Sequence, residues 1–303
     1  MATASRATNE KTVYQVNRQY TLQIGQGKGS GIEITGLHIT FKVNKGSDNK
    51  RRTNKATVKI YNLSEEHQKY IEAPFVECVL SVGYIGAGMH RLFAGQVTVA
   101  GTEKEGTETV TEIQIDSLYT QLNHKTVSKI APAGVTVKGV IENLVKEMDG
   151  ISRVVFSGKN IAKSFVDGYP LSGAPRQILN ELGEAFELEW QVDDGIMYIQ
   201  DAGTSYMTNN SKAFLISEAS GLLDRPYFDQ IEKQRGKKDK LRAARNGLKL
   251  KILLNPSIVA GSIVKIEYGD KTGFYKVERL THSGEYFGNT WETELICGTV
   301  LKM

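Results

Sequence analysis

From Thr12 to about Leu118 apolar and polar residues take turns along the chain. "YTLQI" (Tyr20 to Ile24), "LHITFKV" (Leu37 to Val43) and "KATVKIYNL" (Lys55 to Leu63) alternate, and "CVLSVGYI" is a mostly apolar run. "LFAGQVTVAG" and "TVTEIQIDSL" alternate again. A period of two places one face of each segment in a core, and frequent turn signals between them set the cadence of a sandwich or barrel. One short helix is predicted inside this region. In "NLSEEHQKYIE", Ser64 is placed to cap the helix and Glu65 and Glu66 occupy the first turn, where carboxylates oppose the positive end of the helix dipole.

Between Ala133 and Asp201 the period changes. "VTVKGVIENLVKEM" brings Val137, Val140, Ile141, Leu144, Val145 and Met148 onto one helical face, and "APRQILNELGEAF" does the same with Ile178, Leu179, Leu182, Ala185 and Phe186 behind Pro175 in the first turn. "ELEWQVDDGIMYIQD" then reads as a hairpin, with Leu188, Trp190 and Val192 on one face and a turn at Asp194-Gly195. After the polar link "GTSYMTNNSK" the strands resume in "AFLIS", "GLKLKILL", "SIVKIEY", "GFYKVERLTHSG" and "TWETELICGTV". The fold expected is mainly β: a β-rich first third, a small α+β module and a β-rich last third. No residue-level repeat connects the two β-rich parts.

Composition narrows the chemistry. The chain has 303 residues, enough for two or three domains, and 38 Lys+Arg against 34 Asp+Glu is too even a balance to demand nucleic acid as a partner. Thirty glycines with six prolines suit turn-rich β structure. The start, "MATASRATNEKT", is polar without an apolar core, so no signal peptide is expected, and no run of apolar residues is long enough to span a membrane. Synthesis in a cytoplasm and disorder of the first dozen residues until a partner fixes them are the matching expectations. Cys78 and Cys297 stand far apart in apolar, strand-like runs and are expected to be buried free thiols.

No catalytic constellation emerges. "IGQGKGSGIEI" (Ile24 to Ile34) places a lysine among glycines, but Gly29 separates Lys28 from Ser30 and Leu22 stands where the first glycine of a phosphate loop would be. Strand patterns on both sides make it a hairpin turn. His38, His67, His90, His124 and His282 show no metal-ligand spacing, and neither cysteine has a partner two residues away. Asp193 and Asp194 are paired carboxylates in ordinary turn chemistry. No Gly-x-Ser-x-Gly elbow is present. The reading is of a protein that is not an enzyme and needs no cofactor or metal.

Two basic segments remain as candidate interaction loops. "NKRRTNK" holds Lys50, Arg51 and Arg52 between two strands, and "KQRGKKDKLRAARNG" (Lys233 to Gly247) holds Lys237, Lys238, Lys240 and Arg242. Neither contains an aromatic residue, so base stacking is disfavoured. A solvated loop, a loop that orders against an acidic neighbouring subunit, and contact with nucleic-acid phosphate all remain open for them.

The phrase "LLNPSIVAGSIVKIEYGDKTGFYKVERLTHSGEYFGNTWETELICG" resembles the closing segment of baseplate hub proteins of contractile-tailed bacteriophages. The matching residues are Pro256, Ala260, Gly261, Gly273, Tyr275, Val277, His282, Gly288, Trp291 and Thr293. "GLHITFKV" with "NKATVKIYNLSEE" looks like the opening barrel of the same proteins, and the module ending in "ELEWQVDDGIMYI" is similar to their middle domain. The resemblance covers roughly residues 12 to 300; tail-tube initiators and secretion-system spike proteins share parts of it, and the basic segment from Lys233 has no counterpart in it.

The resemblance implies two tube-like β-barrel domains, at 13–125 and 204–303, flanking an α+β module at 126–203, behind a flexible stretch at 1–12. It implies a virion structural protein of the tail baseplate. Such a hub is a homotrimer that forms a pseudo-six-fold ring, with tail-tube proteins above, a three-fold spike below and DNA passing through the lumen without sequence-specific binding. The alternatives are a six-fold tail-tube initiator or distal tail protein, and a peptidoglycan-binding or wall-degrading tail protein.

Overall fold

The computed structural model describes residues 17–26, 31–46, 54–73, 76–193, 195–202, 213–230 and 246–298. The first third comprises β1 (Arg18–Gly25), β2 (Gly31–Ile34), β3 (Ile39–Gly46), β4 (Lys55–Tyr61), α1 (Glu65–Ile71), β5 (Glu77–Tyr84), β6 (Gly88–Glu105) and β7 (Glu108–Asp116). Burial follows the period of two: Ile39, Phe41 and Val43 on β3, Ala56, Val58 and Ile60 on β4, and Ile113 and Ile115 on β7 all enter one core. Ser64 caps α1 as expected, its hydroxyl accepting the His67 N–H at 3.4 Å. The glycine-rich stretch closes the β1–β2 hairpin, in which Gly25 pairs with Gly31; residues 27–30 lie outside the described residues.

The strand β6 turns a corner. Its first half pairs with β5 as far as Gln96, and from Gln96 onward it pairs with β7, with register irregularities at Leu92 and Thr98 on either side of the change. Gly95 stands at the corner. A Cβ there would lie 2.6 Å from the Asp116 carbonyl oxygen, so the close approach of the two strands requires glycine.

The middle part comprises α2 (Tyr119–Asn123), β8 (Val127–Ala131), α3 (Val137–Val145), β9 (Arg153–Ser157), β10 (Tyr169–Gly173), α4 (Pro175–Phe186), β11 (Leu188–Asp193) and β12 (Ile196–Asp201). The apolar faces of α3 and α4 meet Trp190 and Val192 of β11 and Met197 and Ile199 of β12 in a core of their own. Thr136 caps α3 through its hydroxyl, and Pro175 opens α4 where its missing N–H costs nothing. The β11–β12 hairpin forms as read, and β9 joins it in parallel.

The last third comprises β13 (Phe214–Ile216), β14 (Tyr227–Gln230), β15 (Asn246–Leu253), β16 (Ile263–Ile266), β17 (Gly273–Glu285) and β18 (Trp291–Cys297) around a third core. Two tube-like β-barrel domains thus flank a helix-containing middle module.

The two β-rich thirds are not independent. One edge of β17 gives Gly273–Lys276 to β16 and Arg279–Glu285 to β3, while its other edge follows β18. Through the β3–β17 pairing, strands from both thirds form one thirteen-stranded sheet among the described residues. Leu254 and Trp291, from the last third, complete the first core.

Candidate assembly surfaces and the buried junction

The strands β14, β15, β18, β17, β3, β4, β7 and the second half of β6 succeed one another across this sheet. Their inward residues fill the cores, which leaves a polar face on the other side. Cross-strand ion pairs lace that face: Lys249 to Glu294 at 3.1 Å, Lys251 to Glu292 at 2.9 Å, Lys55 to Asp116 at 3.2 Å and Lys59 to Glu112 at 3.6 Å. Cation and anion sit directly or diagonally opposite on neighbouring strands, the spacing at which such pairs interact. Hydrogen bonding to Glu294 and Glu292 raises Lys249 and Lys251 above the ordinary lysine range. Among the described residues the result is a surface of mixed sign with no concentrated cationic field.

The middle module is locked to both barrels at one end of the sheet. Lys45 of β3 and Asp193 of β11 form an ion pair at 3.0 Å, with the lysine side chain only 4% exposed. Asn54 donates to the Asp193 carboxylate at 2.9 Å and to the Val192 carbonyl at 3.2 Å, and Gln191 donates to the Ala260 carbonyl at 3.2 Å. Beside them His282 is fully buried and its Nδ1 lies 2.8 Å from the Thr293 hydroxyl, which also accepts the Asn255 N–H. Burial, and secondarily the Lys45 charge, hold His282 well below the ordinary imidazole range. The imidazole is a neutral packing element here.

At the opposite end, Arg18 of β1 clasps the β17–β18 turn by donating to the carbonyls of Glu285, Gly288 and Asn289. That turn presents Phe287, 69% exposed, stacked on His38 and in contact with Tyr286. The β6–β7 tip at this end carries the exposed carboxylates of Glu105 and Glu108.

Lys50, Arg51, Arg52, Lys237, Lys238, Lys240 and Arg242 lie outside the described residues, as does Asp194. The strands that flank the two basic segments are described. Gly46 is level with Arg279, Arg279 with Ile296 and Ile296 with Lys249, so the end of β3 and the start of β15 point to the same end of the sheet, the one that holds the Lys45–Asp193 junction. Sequence reasoning missed that junction, because Lys45 and Asp193 each sit in a turn-like context and only folding makes them neighbours.

Among the described residues no group of three metal-ligating side chains converges. Both cysteines are buried and unpaired; burial pushes the Cys78 thiol up to about 12 and raises Cys297 as well, which removes thiolate reactivity. A shallow groove of ≈ 310 Å³ between α2 and α4 is lined by Arg176, Gln177, Asn180 and Glu181 without a nucleophile beside a base. Among the described residues no helix is long and apolar enough to cross a membrane.

No family model and no curated protein sequence matches the chain. Solved structures do. A tail protein from Neisseria meningitidis MC58 superposes with a TM-score of 0.62 over 92% of this chain and 96% of its own, at 12% identity. The fold is that of phage tail proteins. The 43 kDa tail protein of prophage MuSo2 from Shewanella oneidensis matches with a TM-score of 0.61 at 10% identity, covering 94% of this chain and 98% of its own. The E. coli c3393 protein matches with a TM-score of 0.58 at 12% identity over 93% of this chain and 79% of its own; it is described as a component of the type VI secretion system with structural similarity to the T4 tail proteins gp27 and gp5.

Within this tail-protein fold, the residues that carry the sequence resemblance act through packing. Gly261 N–H bonds the Val277 carbonyl, Tyr275 is buried, His282 meets Thr293, and Trp291 packs edge-on against Phe41 across the seam between the barrels.

Proposed function

We propose that the chain is a structural component of a phage-type tail, a baseplate hub that acts as a homotrimer. The observation that carries this reading is the β3–β17 seam, which sets two barrels side by side with one polar face in common. Three copies of a two-barrel chain offer six similar units to a six-fold tail tube while keeping three-fold symmetry toward a spike. The polar face would line the lumen, where its mixed charges let DNA pass without sequence-specific binding. The two ends differ in chemistry, one carrying the middle module and the flanks of both basic segments, the other exposed Phe287 and the acidic β6–β7 tip; that asymmetry suits two different neighbours. The domain division goes with this reading: a leading segment at 1–12, barrels at 13–125 and 204–303, and the module at 126–203. Its place is the virion tail.

The test is copy number in purified particles, by quantitative mass spectrometry against a major tail-tube protein. About three copies per particle support the hub. A value near six turns the reading to a six-fold tube initiator, and absence from the particle with binding of the protein to purified cell wall turns it to a wall-binding protein.

A further inference from the structure

The turn between β17 and β18 holds an aromatic ring out of the protein and holds it still. Phe287, near its tip, is 69% exposed, although burial of so large an apolar side chain is favourable. The backbone beneath the ring is tied down. Arg18 donates to the carbonyls of Glu285, Gly288 and Asn289, the Tyr286 N–H bonds the Ile39 carbonyl at 2.9 Å, and Tyr286 packs edge-on against Tyr20 at 4.9 Å. Gly288 lets the Glu285 side chain fold across the turn, since a Cβ there would overlap the carboxylate. A ring already fixed where it is exposed loses little conformational freedom when a partner covers it, which is the property of an interface anchor.

Phe287 is the outermost of a run of rings. One of its faces lies on His38, with centroids 5.7 Å apart and planes 14° from parallel, and His38 in turn meets Tyr61 at 4.5 Å. Tyr286 tilts against the Phe287 ring at 4.7 Å. With His38 beneath it and most of its surface in solvent, Phe287 turns its other face outward, and an aromatic face carries the negative part of the ring quadrupole.

Carboxylates gather beside these rings. Glu285 Oε1 lies 3.8 Å from His38 Nε2. Asn62, next in the chain after Tyr61, donates to the Glu108 carboxylate at 3.3 Å, and exposed Glu65 and Glu66 follow in the first turn of α1. On the β6–β7 tip Lys104 is outnumbered by Glu103, Glu105 and Glu108. The neighbouring cations are engaged, Lys59 by Glu105 and Glu112 and Arg18 by its three carbonyls. An open aromatic face with an acidic rim selects a cation. A guanidinium satisfies both parts at once, because its plane stacks on the ring while its edge N–H groups reach a carboxylate; an acidic segment is repelled by the rim, and a purely apolar one leaves it unused.

We propose that the Phe287 turn is a docking surface for a partner segment that presents an arginine, its guanidinium stacked on the open face of Phe287 and its edge donating to the Glu285 carboxylate. The surface is built from a single chain, so this assignment holds whatever the number of copies in the ring.

The experiment is an NMR titration of the full-length, amide-labelled chain with three acetylated and amidated pentapeptides, GRLRG, GKLKG and GELEG, following the amides of His38 and of Tyr286 to Asn289. The expected result is a saturable shift of these amides with GRLRG, about ten-fold tighter than with GELEG and with GKLKG between the two. Glu285→Gln with Glu108→Gln should weaken GRLRG about five-fold, and Phe287→Leu, which keeps an apolar side chain but removes the aromatic face, about three-fold. Position 287 is exposed and both carboxylates lie at the surface, so these variants keep the fold. Equal binding of GRLRG and GELEG, or no saturable shift at these amides, overturns the assignment. A preference for GRLRG that survives both sets of substitutions places the basic peptide elsewhere and overturns it as well.

Discussion

The Lys45 ammonium and the Asp193 carboxylate meet 3.0 Å apart, largely out of water, where β3 of the first barrel touches β11 of the middle module. Asn54, just ahead of β4, bonds the same carboxylate. The pair holds three separately read segments in one arrangement, and its weight comes from what would follow if one partner were lost.

Asp193→Ala leaves Lys45 charged and buried without its counter-ion, and is expected to destabilise the protein by about 3–5 kcal/mol. Replacing both partners with apolar residues (Lys45→Met with Asp193→Leu) is expected to cost far less, since no charge remains stranded. Urea unfolding of the single and double variants measures both; equal losses would show that the pair is not the source of the penalty.

Gly284 lies against two rings. A Cβ there would stand 2.2 Å from Phe41 Cζ and 2.9 Å from Trp291 Cε3, both buried. Gly284→Ala should cost about 1–3 kcal/mol by overpacking, and Phe41→Leu in the same chain should restore part of it. The shift in the denaturation midpoint across this small series is the readout.

His282 makes stability depend on pH. Its folded pKa is depressed by burial and by Lys45, so the unfolded chain binds the proton more readily. The sign follows: the stabilisation is complete above the unfolded imidazole value near 6.5 and drains away as pH falls toward the depressed folded value, at up to about 1.4 kcal/mol per pH unit. His282→Gln should flatten the slope between about pH 6.5 and 5, above the range where carboxylates titrate. An unchanged slope would assign it to other groups.

Arg18 holds the β17–β18 turn through three carbonyls and covers the Trp291 ring at 5.5 Å. Arg18→Ala is expected to cost about 1–2 kcal/mol and to speed amide exchange in residues 285–291 more than elsewhere. Uniform acceleration across the chain would point to a global rather than a local role.

Much of this was legible in the sequence. The period of two placed the strands of β3, β4, β15 and β18, Ser64 and Pro175 marked helix starts, and "ELEWQVDDG" gave the β11–β12 hairpin, because local sterics and one-sided burial act within a few residues. The short helix α2 and the parallel pairing of β9 with β12 were not read, since neither has a strong local signal. Lys50, Arg51, Arg52 and the Lys237–Arg242 group were visible only as charge, and the structure describes the strands around them and not the residues themselves.

By itself the sequence determined that the chain is mainly β with one helical module, which residues of the alternating strands face a core, and that Cys78 and Cys297 are buried thiols. Only the tertiary structure decided that β17 leaves β16 for β3 and so joins the two barrels, and that Lys45, Asp193 and His282 share one buried junction. The reason is physical. Alternation specifies which face of a strand is apolar but says nothing of which backbone edge it pairs with, and a partner far away in the chain is chosen by the fit of whole cores and by the need to satisfy every buried charge and hydrogen-bonding group at once.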